Sequence, residues 1–238
     1  MWALHKAVAC FIIYRMKLIP IVYENDEALI VNKPAGIAVQ GGAGVAHPLD
    51  KELPLQVGYP VFLVHRLDMD TAGLLIVAKS SAAAAKWTTL TAGKLVQKEY
   101  SAVCLGHFQQ KSGTIRTAIL QHGESKTAET RYEVIKEAYA VCNGERLAVS
   151  LVRLILKTGR MHQIRIHLAS VGHPIIGDDK HGNFTLNKRL KKSVGVKRLF
   201  LVSNKLSIPI DGKNAVFQIP LPDYMEAFVR AMRGDEES

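Results

Sequence analysis

The stretch HRLDMDTAGLLIVAK at residues 65–79 decides the interpretation of this chain. It places one carboxylate, Asp68, after Arg66 and before Thr71-Ala72-Gly73, which we interpret as a turn that opens the apolar run 74–77. Loops that lead into buried strands often carry active-site residues. We therefore predict that Asp68 is a catalytic nucleophile. The alternative is that Asp68 pairs with Arg66 or caps a turn, which is the commoner role of an isolated Arg-x-Asp triplet.

Length and composition indicate a globular chain with a sizeable core. Its 238 residues are 48% hydrophobic and 22% charged. We expect an N-terminal extension at 1–18, one main domain at 19–232 and a tail at 233–238. Basic residues interrupt the apolar N-terminal stretch, which is too short to span a membrane. The chain has three cysteines, Cys10, Cys104 and Cys142. An odd number without a CxxC pair favours reduced thiols and a cytoplasmic location.

Short β-like runs bounded by Gly, Asn or Pro dominate the chain. We predict strands at 19–23, 28–32, 74–78, 99–105, 129–136, 146–156, 198–206 and 215–219, the first two forming a hairpin. Apolar spacing or composition predicts helices at 81–90, 161–171 and 224–232. Strands outnumber helices and do not alternate with them one for one. The pattern therefore predicts an α+β fold on a mixed or antiparallel sheet.

Basic residues are in excess and are clustered. Lys and Arg number 31 against 21 Asp and Glu, and the sequence pI is about 9.5. Two stretches, 153–167 and 185–198, contain several Lys and Arg and no acid. A single basic run is as often solvated surface as a binding site. Two such runs in one chain favour a polyanionic partner, specifically a nucleic acid.

The block TGRMHQIRIHLASVGHPIIGDD at 158–179 is the second informative stretch. On the predicted helix, Met161, Arg165 and Leu168 would share one side. Burying a guanidinium is unfavourable unless a carboxylate or phosphate meets it. We predict Asp68 as the partner of Arg165. An exposed Arg165 that binds phosphate is the alternative, and the residues alone do not decide between the two.

Histidines and acids in the same block raise the question of a metal site. The residues concerned are His162, His167, His173, Asp178 and Asp179. Their spacings do not match the HExxH pattern, and His173 precedes a proline in what we interpret as a turn. We expect no metal, and interpret the histidines as groups that satisfy the backbone or touch RNA. A metal-dependent hydrolase that uses these residues is the alternative from another class.

Four motifs, in order along the chain, give it a family resemblance. They are NKPAGIAV at 32–39, HRLDMDTAGLLIVAK at 65–79, KEYSAVCLG at 98–106, and TGRMHQIRIHL at 158–168 followed by GHPIIGDD at 172–179. Together they resemble the RluA-type pseudouridine synthases. Three further segments most resemble the RluC branch, which modifies large-subunit ribosomal RNA: QGGAG at 40–44, AETRYEV at 128–134 and GDDKHGNFTLNKRL at 177–190. Because few residues precede the resembling region, we expect the S4 RNA-binding domain of that branch to be lacking.

The resemblance implies a pseudouridine synthase catalytic fold at 19–232, with a mixed, largely antiparallel central sheet flanked by helices and loops. It also implies a cofactor-free isomerisation, in which uracil is cut from C1′ of the ribose, rotated and rejoined through C5. By motif match, Asp68 is the catalytic aspartate, and Arg165 pairs with it and keeps it ionised and oriented. Tyr100 stacks on the flipped base and handles the sugar proton. Arg66 fills the gap left in the RNA stack, because flipping is needed to expose the sugar–base bond.

The expected partner is RNA, most specifically large-subunit ribosomal RNA. We expect a monomer that acts without a cofactor, a metal or a membrane. The predicted RNA contacts are Arg66, His65, Arg160, His162, Lys188, Arg189, Lys191 and Lys192. Two alternatives stay open beside the hydrolase. One is a synthase directed to transfer RNA, and the other is a non-catalytic RNA-binding module associated with the ribosome.

Overall fold

A computed structural model of the chain describes residues 18–121, 123–210 and 212–234. The strands are β1 (Ile21–Glu24), β2 (Ala28–Lys33), β3 (Phe62–Leu63), β4 (Ala72–Ala78), β5 (Gln97–Leu105), β6 (Ser112–Ile115), β7 (Ile119–Gln121), β8 (Glu124–Lys126), β9 (Thr130–Cys142), β10 (Glu145–Leu156), β11 (Leu201–Ile210) and β12 (Lys213–Gln218). The helices are α1 (Leu49–Val57), α2 (Ser81–Ala92), α3 (Gln163–Ser170), α4 (Phe184–Ser193) and α5 (Asp223–Ala231).

Most described strands belong to one sheet, with the order β1-β2-β4-β11-β5-β10-β9-β6. Strand β12 lies beside β11 and β3 lies beside β4, while β7 and β8 form a separate small sheet. Neighbours are antiparallel, except that β4 and β11 are parallel. The predicted α+β fold with a mixed, largely antiparallel sheet is thus confirmed, as is the predicted first hairpin, β1–β2.

The junction between β4 and β11 positions the candidate site. These strands pair over only two residues, the second being Ser203 opposite Gly73. Gly73 has a φ of +116°, and a Cβ there would lie 2.2 Å from the Ser203 carbonyl oxygen. Only glycine allows this backbone conformation and this close approach. Because Ser203 also pairs with Tyr100 on β5, the junction brings Tyr100 to the end of the sheet where the loop carrying Asp68 enters β4.

Local sequence explains how several elements begin and end. The Ser80 side chain accepts from the N–H of Ala83 at the start of α2, and Asn183 caps α4 by accepting from Leu186. At the β9–β10 turn, Asn143 and Gly144 both have positive φ, as a type I′ hairpin requires. The predicted helices correspond to α2, α3 and α5, whereas α1 and α4 were not predicted.

Helix α3 starts later than predicted. His162 has a left-handed backbone, with φ 54° and ψ 19°, and occupies the N-cap position, so the helix begins at Gln163. Met161, predicted to share a helix face with Arg165, lies outside the helix and is 50% exposed. Arg165 and Leu168, which were predicted to share one side of the helix, are both buried.

The core is centred on β4, which is buried at every position. This burial explains the uninterrupted apolar run at 74–77, since a strand covered on both faces has no need of alternation. Cys104 and Cys142 are buried free thiols, whereas Cys10 lies outside the described residues.

The ends of the predicted main domain are described only in part. The predicted extension at 1–18 lies outside the described residues except for Leu18. Arg233, which the sequence placed in the tail, exchanges backbone hydrogen bonds of 2.8 and 2.9 Å with Tyr139 and so continues the fold. None of the described helices combines the length and apolar character needed to cross a bilayer.

Candidate active site

Asp68 lies on the loop that leads into β4. The N–H of Thr71 donates to the Asp68 carbonyl oxygen at 3.1 Å, and the turn itself is formed by Met69 and Asp70. The sequence interpretation placed the turn two residues later, at 71–73, but Ala72 already belongs to the strand. The Asp68 side chain is 18% exposed and therefore reaches solvent from an otherwise buried region.

Lys33 anchors this loop from beneath. Its fully buried Nζ donates to the carbonyl oxygens of Pro34, Ile37 and Met69 at 3.0, 2.8 and 2.9 Å. Burial lowers the pKa of Lys33 to about 7, although the negative charges of Asp70 and Asp68 act to raise it. The three carbonyl oxygens match the three hydrogens of an ammonium group. The backbone next to Asp68 is therefore fixed to the segment that follows β2.

Arg165 forms its strongest ion pair with Asp178, which the sequence analysis treated only as a possible metal ligand. Nε and Nη2 of Arg165 donate to the two carboxylate oxygens at 2.8 and 2.7 Å, and the side chains are 2% and 1% exposed. Burial by itself lowers the pKa of Arg165, but Asp178, aided by Asp68 and Asp179, raises it overall. Such a bidentate pair fixes the guanidinium plane. The sequence signal that could have suggested Asp178 as the partner of Arg165 is GDD at 177–179, two adjacent acids directly after an apolar run.

Asp68 is the second, more distant partner of Arg165. Nη1 of Arg165 lies 3.6 Å from Oδ2 of Asp68, and Nε2 of His162 lies 4.0 Å from the same oxygen. Within the described residues, Oδ1 of Asp68 accepts no hydrogen bond. The predicted contact between Arg165 and Asp68 is present, but Asp68 is not the main partner. One carboxylate oxygen is held and the other is open to the cleft.

His162 is oriented by a second histidine that the sequence analysis did not single out. Nδ1 of His162 and Nε2 of His181 lie 2.9 Å apart and share one hydrogen. Burial lowers the pKa of His162, and Asp68 opposes that shift. Either ring can donate in this contact, while Nε2 of His162, at 4.0 Å from Oδ2 of Asp68, is too distant for a hydrogen bond. The left-handed backbone of His162 costs about 1–3 kcal/mol, and such strain tends to collect at functional sites.

Tyr100 is buried beside Asp68. Burial and the negative charge of Asp68 raise the pKa of Tyr100 above its ordinary value, and the nearby Ser203 hydroxyl offsets only part of this increase. That hydroxyl lies outside regular hydrogen-bond geometry. Tyr100 is therefore a neutral phenol while Asp68 is ionised.

A cleft of about 720 Å³ joins these residues, a volume within the range of ligand pockets. Asp68 is the one carboxylate among its lining residues, against six basic side chains: Arg66, Lys94, Lys98, Lys157, Arg160 and Arg165. Such a lining attracts a polyanion. Lys94, Lys98 and Lys157 were not predicted as site residues. Lys98 opens the KEYSAVCLG motif at 98–106, but its place in the cleft depends on the pairing of β5 with β10.

Four of the predicted RNA contacts line the cleft. Arg66 is exposed, while Arg160 and His162 are partly buried. His65 also lines the cleft, but its Nε2 accepts a hydrogen bond from the N–H of Ile76 at 3.2 Å. Burial holds the pKa of His65 well below its usual range. His65 is therefore a neutral group that supports β4, and it supplies no charge for RNA.

The other four predicted contacts lie on α4. Lys188, Lys191 and Lys192 are exposed, and their spacing of three and four residues places them on one face. Arg189 forms an ion pair with Glu145, whose side chain is 71% exposed, and its role as an RNA contact stays a prediction. Helix α4 begins three residues after His181 and is about 15 Å long. Its later turns contact the hairpin end of β9 and β10, where Ser193 meets Cys142 and Arg189 meets Glu145.

The histidines of the 158–179 block have different partners. His167 lies 2.9 Å from both the Thr130 hydroxyl and the Thr117 carbonyl oxygen, and Nδ1 of His173 lies 3.0 Å from the Leu105 carbonyl oxygen. Among the residues that the structure describes, no three His, Cys, Asp or Glu side chains are grouped as metal ligands would be.

Known proteins with similar sequences share one activity in their names. The sequence profile of the RNA pseudouridylate synthase family matches residues 27–170. Ribosomal large subunit pseudouridine synthase C of Salmonella typhimurium is 37% identical over an alignment of 217 residues that covers 85% of this chain and 66% of that protein. The protein of the same name from Escherichia coli O157:H7 is 35% identical over 230 residues, 90% of this chain and 70% of that protein. This chain thus spans just under two thirds of the Salmonella typhimurium relative.

Two solved human structures have the same fold. Human RNA Pseudouridylate Synthase Domain Containing 1 superposes with a TM-score of 0.73 at 26% identity, covering 91% of this chain and 88% of that chain. Human RNA Pseudouridylate Synthase Domain Containing 4 gives a TM-score of 0.71 at 21% identity, with 97% of both chains covered. The predicted catalytic fold and the resemblance to RluA-type synthases near the RluC branch are confirmed. The chain belongs to the RNA pseudouridylate synthase family.

Proposed function

We propose that this protein is an RNA pseudouridine synthase, an isomerase that converts specific uridines of large-subunit ribosomal RNA to pseudouridine. The observation that carries the proposal is the Asp68 carboxylate, which Arg165 holds on Oδ2 at 3.6 Å while Oδ1 is open to the cleft. The curated relatives are named for this reaction on the large ribosomal subunit. Their similarity extends over most of this chain.

Charge supports RNA as the substrate. The cleft has six basic side chains against one carboxylate, and the chain carries a formal net charge of +10. The exposed lysines on α4 add a second group of positive charges outside the cleft. Arg66 is exposed, lines the cleft and has no partner among the described side chains. It is free to enter the RNA stack when the target nucleotide flips out.

Asp68 acts on the sugar in the proposed reaction. Its open oxygen either attacks C1′ or stabilises positive charge there as the bond from C1′ to N1 breaks. The uracil then turns and rejoins through C5. Asp178 fixes Arg165, and Arg165 holds Oδ2 of Asp68, so the carboxylate is oriented before RNA binds. Such pre-orientation lowers the barrier, because little rearrangement is needed during the reaction.

The electrostatics of the site imply an order of events. While Asp68 is ionised, its charge adds to burial in raising the pKa of Tyr100. When Asp68 bonds to C1′, its negative charge is lost, and burial alone then raises the pKa of Tyr100. The pKa of Tyr100 therefore falls after Asp68 has reacted, and its hydroxyl gives up its proton more readily. We propose that Tyr100, having lost its own proton to solvent, then takes the sugar proton and returns it when the uracil rejoins.

We also propose that residues 19–232 form the catalytic domain and that it works as a monomer in the cytoplasm. These statements rest on the sequence pattern. The reaction as written uses only side chains of this domain and the RNA.

Mapping of pseudouridines in RNA from cells with and without this protein tests the proposal. We expect one or a few positions in large-subunit ribosomal RNA to lose the modification, and wild type but not Asp68→Asn to restore it. Loss confined to transfer RNA would establish the alternative substrate. Unchanged maps, together with tight RNA binding, would establish a non-catalytic RNA-binding module.

A further inference from the structure

Lys98 is a cation in the candidate active-site cleft that has no partner among the described residues. It lies on β5, two residues before Tyr100, and both side chains line the cleft. No described residue forms a hydrogen bond or an ion pair with its Nζ. Lys33, the other buried lysine near the site, instead has three carbonyl oxygens as acceptors. Lys98 is therefore a cation without an acceptor in the described part of the chain.

The environment of Lys98 differs from that of an ordinary surface lysine. A surface lysine packs its carbon stem and keeps its ammonium group in water. Lys98 is half-buried, and burial lowers its pKa to about 8 with no carboxylate opposing the shift. The ammonium group itself is thus partly withdrawn from water, which is unfavourable without a partner. An anion that forms in the cleft during the reaction would supply that partner.

Strand geometry places Lys98 near the reacting base. Side chains two positions apart on a strand share a face and are separated by about 6.6 Å. In the proposed function, the flipped uracil stacks on the ring of Tyr100. A lysine on the same face reaches along the strand to the edge of that base. We propose that Lys98 is a catalytic residue whose Nζ donates to a carbonyl oxygen of the uracil as it leaves the sugar, an inference that rests on the proposed function.

The chemistry of the leaving group explains why a cation is needed. When the bond from C1′ to N1 breaks, both electrons stay on N1, and the negative charge spreads over N1, O2 and O4 of the uracil. Asp68 takes the place of the base at C1′ or stabilises the positive charge left there. When C5 bonds to C1′, the uracil becomes neutral and any bond to Asp68 is released. The proton on C5 is then exchanged for one on N1, and Lys98 gains or loses no proton.

This interaction is stronger in the transition state than in the substrate complex. Uridine is neutral before cleavage, so Lys98 then contributes only an ordinary hydrogen bond. Groups that meet charge only as it develops raise kcat rather than affinity. Removing one such donor from an enzyme typically lowers kcat by about 10²–10³.

The test is Lys98→Met, which keeps the carbon stem and removes the ammonium group. A ribosomal RNA transcript that wild type converts serves for single-turnover rates and for binding at several salt concentrations. We expect the rate to fall by about 10²-fold or more, with RNA affinity within about threefold of wild type and an unchanged salt slope. Lys98→Arg should restore part of the rate. Lys213→Met, a change at an exposed lysine on β12 away from the cleft, controls for the loss of one charge.

A better leaving group sharpens the test. In a transcript made with 5-fluorouridine, the fluorine withdraws electrons and stabilises the uracil anion, so cleavage depends less on Lys98. We expect the ratio of wild-type to Lys98→Met cleavage rates to be smaller on this transcript. An equal ratio on both transcripts would overturn the assignment.

Other outcomes are equally decisive. Weaker binding with a salt slope reduced by about one unit, at an unchanged rate, would make Lys98 a phosphate contact and overturn the proposal. No change in rate or binding would make it a solvated lysine. An inactive wild type would overturn the proposed function together with this inference, whereas an active wild type beside an equally active Lys98→Met would overturn the inference alone. Thermal melting verifies folding, and Lys98→Gln replaces the Met variant if that variant does not fold.

Discussion

Replacing Asp178 by Asn tests how Arg165 is held. The change keeps the shape of the side chain but removes the charge that faces a nearly fully buried guanidinium. The remaining acids, Asp68 and Asp179, lie 3.6 Å from Arg165, and Asp179 is 75% exposed. Oδ1 of Asp178 also accepts the N–H groups of Lys180 and His181 at 2.9 Å. The single amide oxygen of Asn cannot replace both carboxylate oxygens.

The expected effect is large. Breaking a buried ion pair by removing one partner costs about 3–5 kcal/mol. A chain of this size loses about 2–4 °C of Tm per kcal/mol. We therefore expect Asp178→Asn to lower the Tm by about 6–20 °C, measured by circular dichroism at neutral pH. Asp179→Asn, a neighbouring change at an exposed site, should shift the free energy of unfolding by less than about 0.5 kcal/mol.

The pH dependence provides a second measurement on the same variants. Burial alone raises the pKa of Asp178, but Arg165 and the two N–H groups bring it below its usual range. A lowered folded-state pKa stabilises the protein above the unfolded value, about 3.9, and this stabilisation is lost as pH falls through the folded pKa. The Tm difference between wild type and Asp178→Asn should therefore be largest near neutral pH and should become smaller as the pH falls into the acid range. Equal, small Tm losses in both Asn variants would refute this account of Arg165.

Three other changes give direct readings of the fold, the reaction and the RNA surface. Tyr100→Phe keeps the stacking ring and deletes the hydroxyl, so single-turnover product formation should stop while RNA affinity persists; an unchanged rate would make Tyr100 purely structural. Gly73→Ala places a Cβ 2.2 Å from the Ser203 carbonyl oxygen, and urea unfolding should show a loss above about 2 kcal/mol; a smaller loss would argue against the tight strand junction. Neutralising the three exposed lysines of α4 together, Lys188, Lys191 and Lys192, should flatten the salt dependence of RNA binding. The slope should fall by about one unit for each phosphate that they neutralise in the wild-type complex. An unchanged slope would identify these lysines as solvated surface.

The parts of the fold predicted from sequence are those with a strong local pattern. The apolar run at 74–77 belongs to a strand that is buried at every position, so hydrophobicity alone located it. Helix α1 was missed because Pro54 interrupts its sequence. Helix α4 was missed because its basic residues leave only a narrow apolar side, with Leu186 and Leu190 four residues apart. Its polar face is equally compatible with a loop.

The site was predicted where a motif marked a residue and missed where only the fold creates the contact. Asp68, Tyr100 and Arg165 each belong to a motif, and the structure brings Asp68 close to the other two. The choice of Asp178 over Asp68 as main partner of Arg165 depends on a distance that the sequence does not contain. Lys98 and His181 also lie in quoted segments, at 98–106 and 177–190, but the groups that face them are set by the fold. Residue type and spacing therefore identify candidates, and burial and geometry assign their partners.

Asp68→Asn is the most direct test of the proposed reaction. The substitution removes the carboxylate charge with little change in shape. Asp68 is 18% exposed and its contacts are 3.6 and 4.0 Å long, so we expect stability to change by less than about 1 kcal/mol. The measurement is uridine-to-pseudouridine conversion in a ribosomal RNA fragment, with a binding titration on the same protein. We predict no detectable conversion with RNA affinity equal to or slightly above that of wild type, and substantial conversion by the correctly folded variant would contradict the mechanism.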